Sequence, residues 1–165
     1  MTECATLGTS LLLLRVGSAS RNPPVSLQPL ESPVPAAPHA VELAMVAAQA
    51  AADKLATDVT VLDVADRLAI TDTFVLASAP TERQVHSIVD EVEMRLRDVG
   101  VKPVRREGER EGRWVLLDFG DVVVHVQHAE EREYYALERL WKDCPELPFV
   151  DATLAAALSA ASAGE

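Results

Sequence analysis

The chain has 165 residues, enough for one folded domain with flanking segments, and 48% of them are hydrophobic, enough to form a core. Its net charge is −11, from 26 acidic and 15 basic side chains, so it lacks the surplus of Lys and Arg that binding to a phosphate backbone needs. We therefore expect little direct nucleic-acid binding and, if the chain works near RNA, contact with a basic protein.

The cysteines and the short apolar runs exclude two further classes. Cys4 and Cys144 are far apart, whereas zinc thiolate sites and disulfide frameworks need closely spaced or numerous cysteines, so a reducing cytoplasm is expected. The leucine run at residues 11–14 is far shorter than the ~20 residues of a membrane-spanning helix. No Lys or Arg precedes that run, which does not fit a secretory signal. We expect no membrane association.

Composition divides the chain into three parts. Residues 1–38 hold six of the ten prolines, which predicts a disordered leader, or the product of an upstream start codon. Residues 39–151 are the predicted folded domain. Residues 152–165 are predicted to be an Ala-rich flexible tail without chemistry.

The first half of the domain begins with an alanine-rich helix. Residues 40–56 are about half alanine and contain neither Gly nor Pro, which predicts a helix; residues 59–64 and 73–78 then predict two strands. Thr81 and Gln84 form a capping box, apolar residues repeat at helical spacing up to Val99, and Gly100 supplies the left-handed position after the helix.

The second half predicts a hairpin and a closing helix. Residues 104–107, 113–119 and 121–127 are predicted strands, with Gly120 in a tight turn between the last two, and residues 130–142 are a predicted helix. The order is α-β-β-α-β-β-β-α. It predicts an α/β fold with a single mixed five-stranded sheet and helices packed on it.

Five stretches of this domain resemble the ribosomal silencing factor (Iojap) family. They are VTVLDV at 59–64, ITDTFV at 70–75, RQV at 83–85, EGRWVLLDFGDVVVH at 111–125 and REYYALERLW at 132–141. Only the Ala79-Pro80 turn departs from the family pattern, in which a small residue or Gly usually follows the serine of the second strand. The resemblance covers nearly all of residues 40–142.

The resemblance implies an activity and no reaction, cofactor or metal. Family members bind the large ribosomal subunit through its ribosomal protein fourteen, block subunit joining and repress translation when nutrients are short. Organelle relatives are tied to large-subunit assembly, which is the alternative function. The fold is described as nucleotidyltransferase-like, so an enzyme remains a third reading. Relatives often self-associate, which leaves a homodimer open.

The partner-binding site is predicted on the strand at 113–119. Side chains alternate along a strand, so Trp114, Leu116 and Asp118 share one face while residues 115, 117 and 119 form core. We expect the first face to be uncovered, with Val124 and the neighbouring valines or their sequence neighbours beside it. An apolar patch containing Trp and rimmed by acidic residues favours protein binding, although the reverse register would bury Trp114.

The predicted last helix holds further candidates. One stripe, Tyr134, Leu137 and Trp141, is expected to be core packing. For Arg132 and Tyr135, partner contact and structural packing are equally supported.

No catalytic or metal-binding residue is predicted. Two-metal chemistry needs carboxylates that converge on one point, and helix caps or turns explain the candidate aspartates better. His125 and His128, three apart on a strand, face opposite sides. The carboxylates considered are Asp63, Asp72, Asp118 and Asp121.

Overall fold

A computed structural model describes residues 34–162. The elements are α1 Pro38–Asp53, β1 Thr57–Asp63, β2 Thr73–Ala79, α2 Glu82–Asp98, β3 Arg105–Glu107, β4 Trp114–Asp118, β5 Val122–His128, α3 Ala129–Tyr135, α4 Leu137–Leu140, β6 Glu146–Leu147 and α5 Ala152–Ser162. The predicted α/β class with one mixed sheet is confirmed.

The sheet has the strand order β3-β4-β5-β2-β1-β6. β2 and β5 are parallel at its centre, and every other neighbouring pair is antiparallel. The sequence predicted five strands, and the sixth is the two-residue β6, in which Leu147 pairs with Val61 of β1. Two residues are too short for an alternating pattern, so only their pairing with β1 defines this strand.

The segment before α1 is attached to the sheet. The backbone N–H of Ala36 donates to Oδ2 of Asp63, and that of Ala37 donates to Oδ2 of Asp72, both at 2.9 Å. The predicted disordered leader is therefore wrong for residues 34–38, where α1 already begins with Pro38. Residues 1–33, the rest of that predicted leader, lie outside the described part of the chain.

α2 begins and ends where the sequence predicted. The hydroxyl of Thr81 accepts a hydrogen bond from the backbone N–H of Gln84 at 3.2 Å, and Gly100 takes a φ of +88° just after the helix. The side chain of Gln84 does not complete the capping box. It donates instead to the carbonyl oxygens of Lys54 and Leu55, at 3.1 and 2.9 Å, and so joins α2 to the end of α1.

The two helices α1 and α2 cover one face of the sheet, which we call the helix-covered face. Apart from Phe119, the buried hydrophobic side chains of this core are aliphatic, and they pack against the alanines of α1 and the valines of α2. Val115, Leu117 and Phe119 all lie in this core, as predicted from the alternation along β4.

The opposite face is covered only in part, by α3, α4 and the segment after them. Leu137 and Trp141 pack there against a small cluster that includes Phe74, which confirms their predicted structural role. The predicted continuous helix is broken, because Ala136 takes a left-handed conformation, with φ of 42°, between α3 and α4. This break takes Tyr134 off the predicted stripe. Its side chain is 81% exposed, so its expected place in the core was wrong.

Residues 152–162 of the predicted flexible tail form α5. Oδ1 of Asp151 accepts from the N–H groups of Thr153 and Leu154, and Gln49 of α1 donates to the same oxygen at 3.0 Å. Between residues 34 and 162, no helix is long and apolar enough to cross a membrane.

Candidate protein-binding surface

The turn between β4 and β5 decides which side chains lie beside Trp114. The loop has two residues, and Phe119 and Val122 flank it, joined by a 2.9 Å hydrogen bond from the Phe119 N–H to the Val122 carbonyl. Counting back from that pair places Gln127 opposite Trp114. The neighbours of Trp114 on this face are therefore the odd-numbered residues of β5, with His125 opposite Leu116 and Val123 opposite Asp118.

Val124 is consequently not part of this face. Its side chain is completely buried in the core under α1 and α2, so its predicted place beside Trp114 is wrong. Its sequence neighbours Val123 and His125, the alternative, lie on that face. The physical reason is the pleat, because adjacent residues of a strand point to opposite sides of the sheet.

Trp114 is half-buried and packs at one end of a row of three aromatic rings. The ring centroids of Trp114 and Tyr135 lie 5.0 Å apart, and those of Tyr135 and Tyr134 also lie 5.0 Å apart, edge to face. Tyr135 is 49% exposed and Leu116 is half-buried on the same strand as Trp114. We call these four residues, Trp114, Leu116, Tyr134 and Tyr135, the aromatic surface.

Two features fix the backbone at Trp114. Gly108 has a φ of +76°, and a Cβ at that position would lie 1.8 Å from the carbonyl oxygen of Trp114, so the loop before β4 packs directly on it. Arg113 donates to Glu130 at 2.9 Å and to Glu131 at 2.7 Å, which ties the start of α3 to the start of β4. Hydrogen bonding to Glu130, and then to Glu131, raises the pKa of Arg113.

Below the indole lies His125, which is 7% exposed. Nε1 of Trp114 donates a hydrogen bond to Nδ1 of His125 at 3.3 Å. Burial, with a smaller contribution from the charge of Arg132, lowers the pKa of His125 to about 4. The imidazole is therefore neutral at physiological pH.

A shallow depression of about 330 Å³ beside Trp114 is lined by Glu107, Gly108, Trp114 and Leu116. Its floor is apolar, and Glu107 lies at its edge in an ion pair with Arg105. Glu130 and Glu133 are exposed on α3, which also carries Tyr134 and Tyr135. Glu130 is paired with Arg113, and Glu133 makes no ion pair with residues 34–162. An apolar patch with acidic neighbours can accept the stem and the charged head of a basic side chain.

Arg132 and Asp118 have structural partners. Arg132 is 7% exposed, and its guanidinium donates to Glu138 at 2.5 Å and to the carbonyl oxygen of Asp58 at 2.8 Å. This charge links α3 with α4 and β1 inside the fold, which favours structural packing, one of the two roles that the sequence supported equally. Asp118 lies on the same face as Trp114 but at the other end of β4, where its Oδ1 accepts from the Gly120 N–H at 2.8 Å.

The candidate catalytic groups have structural roles as well. The carboxylate of Asp63 accepts from the N–H groups of Ala36 and Ala65, and His128 caps α3 by accepting from Glu130. Among residues 34–162, no three His, Cys, Asp or Glu side chains are placed to hold a metal ion. A cavity of about 380 Å³ is lined by Asp63, Arg67 and Cys144 among others, but burial raises the pKa of the Cys144 thiol, which disfavours a thiolate nucleophile.

The sequence reasoning did not identify three residues that shape this site. Tyr134, Gly108 and His125 are brought to Trp114 by tertiary contacts. One signal was present for His125, since it is the single polar residue in the run from Val122 to Val126.

Comparisons with known proteins identify the family of this chain. The family model described as "Ribosomal silencing factor during starvation" matches residues 37–164. The protein "Ribosomal silencing factor RsfS" of Bacillus subtilis is 42% identical over 100 residues, which are 61% of this chain and 85% of that protein. A mouse relative, "Mitochondrial assembly of ribosomal large subunit protein 1", is 33% identical over 52% of this chain and 39% of its own length.

A crystal structure of a Chromobacterium violaceum protein superposes with a TM-score of 0.60 at 35% identity, covering 62% of this chain and 85% of that one. The Bacillus subtilis relative is named as a silencing factor of the ribosome. Since the family model spans α1 to α5, including both strands of the Trp114 hairpin, the chain belongs to the ribosomal silencing factor family.

Proposed function

We propose that this protein represses translation by binding the large ribosomal subunit and sterically excluding the small one. The partner is ribosomal protein fourteen of the large subunit, the repression operates when nutrients are limiting, and the site of action is the cytoplasm. The aromatic surface is the docking surface, and no chemical reaction is involved.

The half-buried Trp114, on a face that α1 and α2 leave open, is the observation that carries this proposal. Tryptophan and tyrosine dominate the binding energy of protein interfaces because they bury a large rigid area with a polar edge. A surface on which two tyrosines pack beside a tryptophan supports a protein partner more than a small-molecule substrate.

Charge supports the choice of a basic partner. The net charge of −11 disfavours contact with RNA phosphates and favours association with a basic ribosomal protein in the midst of RNA. Complementary charge chiefly raises the association rate, so binding should weaken with added salt.

Co-sedimentation with purified large subunits tests the proposal. Loss of the indole in Trp114→Ala should weaken binding roughly 30-fold, as expected for a hot spot of about 2 kcal/mol. The matched control is Val150→Ala, which truncates a 73% exposed apolar side chain next to Asp151, on the side of the sheet that α1 covers. Equal binding of wild type and Trp114→Ala would exclude the aromatic surface as the docking site.

A role in large-subunit assembly is the second candidate, and the name of the mouse relative favours it. The same surface would serve both roles, so the order of events separates them. A silencing factor blocks the joining of mature large and small subunits in a light-scattering assay. An assembly factor instead binds precursor particles more tightly than mature subunits and leaves joining unaffected.

A further inference from the structure

The hydrogen bond between Trp114 and His125 connects a half-buried ring to a buried one. His125 lies on β5 opposite Leu116, one pair along the ladder from Trp114, and the centroids of the two rings are 6.0 Å apart. Because the indole N–H is a donor only, Nδ1 of His125 must be the acceptor. The proton of the neutral imidazole is therefore on Nε2.

The imidazole makes no other hydrogen bond to residues 34–162, since its buried Nε2 has no partner there. Burying a polar ring costs free energy that an aliphatic side chain would not cost, and Val123, the preceding residue of β5 on this face, is aliphatic. Core filling alone does not explain a histidine here. Its single hydrogen bond within residues 34–162 is with the half-buried Trp114.

Neighbouring rings hold both members of this pair. The edge of Phe74 meets His125 with centroids 5.2 Å apart and an interplanar angle of 83°, and Phe74 packs in the same manner against Trp141. On the other side, Tyr135 contacts the indole of Trp114. Phe74 and the rings around it thus orient His125, the acceptor, on this face of the sheet. Trp114, the donor, lies nearer the surface. Burial keeps Nδ1 unprotonated, since it lowers the pKa of His125 to about 4.

We propose that His125 is a positioning residue, whose Nδ1 atom holds the indole of Trp114 in the orientation that the basic protein partner contacts. This role rests on the proposed docking function. Without the acceptor the indole N–H has no hydrogen-bonding partner, and the ring rotates to reach water. The aromatic surface then has the same composition but is no longer preorganised.

Two reciprocal variants separate this role from simple packing. His125→Phe keeps a ring against Phe74 but removes the acceptor. His125→Asn loses the ring but places its Oδ1 at the position of Nδ1, where it can accept from the indole. Packing predicts that Phe is the better replacement, whereas positioning predicts that Asn is.

The measurements are the indole N–H resonance of Trp114 and the affinity for purified large subunits. A Trp141→Phe background leaves Trp114 as the one remaining tryptophan, because the chain has two. We expect His125→Phe to shift the resonance upfield, to speed its exchange with water and to weaken binding about tenfold, the value of one hydrogen bond. In His125→Asn the chemical shift of the indole N–H should stay at the value of the background protein. The affinity should stay within about threefold of that protein.

Three results would overturn the proposal. The first is an unchanged indole resonance in His125→Phe, and the second is tighter binding by His125→Phe than by His125→Asn. The third is a His125→Asn variant that folds but in which the indole resonance moves and the affinity falls as much as in His125→Phe. If the docking function itself is wrong, Trp114→Ala binds like the wild type while His125→Phe still shifts the resonance, so the two failures are distinguishable.

Discussion

The two faces of the sheet are built from different kinds of side chain. On the helix-covered face, one row across the strands consists of Val61, Val75, Val124 and Leu117, all completely buried. On the opposite face, the adjacent row runs through Leu76, His125 and the half-buried Leu116.

Aliphatic rows of the first kind account for stability, because each side chain loses its contact with water without leaving a polar group unpaired. A buried polar ring such as that of His125 costs stability. Residues that lower stability in this way are typical of functional sites. The contrast predicts that changes on the first face affect unfolding and changes on the second affect binding.

The largest expected effect comes from two adjacent leucines of β4. Leu117→Ala empties a site in the helix-covered core and should lower the free energy of unfolding by about 3 kcal/mol, within the range for buried leucines. Leu116→Ala should cost about 1 kcal/mol, because its side chain is only half-buried. Urea unfolding measures both. Binding by the folded fraction should weaken in Leu116→Ala alone. Weaker binding in Leu117→Ala with unchanged binding in Leu116→Ala would contradict the different roles of the two faces.

Acid should destabilise the open face through His125. Its pKa is about 4 when folded and near the ordinary value of 6.5 when unfolded, so the unfolded chain binds a proton that the folded chain does not in this window. The free energy of unfolding should therefore fall as the pH drops from about 6.5 to about 4, by roughly 3 kcal/mol in total.

Urea unfolding at several pH values, on wild type and His125→Phe, isolates this contribution. Arg132, the charged group that acts on His125 from α3, is present in both proteins, so the difference between them reports His125 alone. Equal slopes for both proteins would show that the imidazole is not neutral and buried.

Two glycines with positive φ, +88° at Gly100 and +76° at Gly108, test the contact at the backbone of Trp114. Gly100→Ala should cost about 1–2 kcal/mol, because a Cβ there meets open space and only the left-handed backbone is strained. Gly108→Ala should cost more and should also perturb the indole resonance of Trp114, since its Cβ would lie 1.8 Å from the Trp114 carbonyl oxygen. Thermal unfolding gives the comparison, and identical losses would argue against the close packing of this loop.

The smallest expected effect concerns charge at the rim. Glu133→Gln removes one exposed carboxylate from α3 and should slow association with large subunits about twofold, an effect that added salt should abolish. Glu42→Gln removes an exposed carboxylate from α1, away from the aromatic surface, and should leave the association rate unaltered. Stopped-flow kinetics measure both association rates. Equal slowing by the two variants would indicate that the net charge of the protein, and not the carboxylates beside the aromatic surface, speeds association.

Part of the site was predictable because the signals are local. The alternation along β4 assigned Trp114 and Leu117 to opposite faces, and the two-residue turn after Phe119 would also have excluded Val124 by counting. Neither step requires a contact between distant residues. The error at Val124 lay in reading β5 without that count.

The amino-acid sequence by itself determined the fold class, the ends of α2, the alternation of β4 and, through its motifs, the family. These features depend on caps, turns and periodicity within a few residues. The tertiary structure alone decided where the last helix breaks and which aromatic rings meet. Arg132 is bound to Asp58, 74 positions earlier, and the left-handed Ala136 separates α3 from α4, so that Tyr134 faces solvent and Tyr135 meets Trp114. No local pattern encodes a partner that distant, because the pairing exists only after the sheet has assembled.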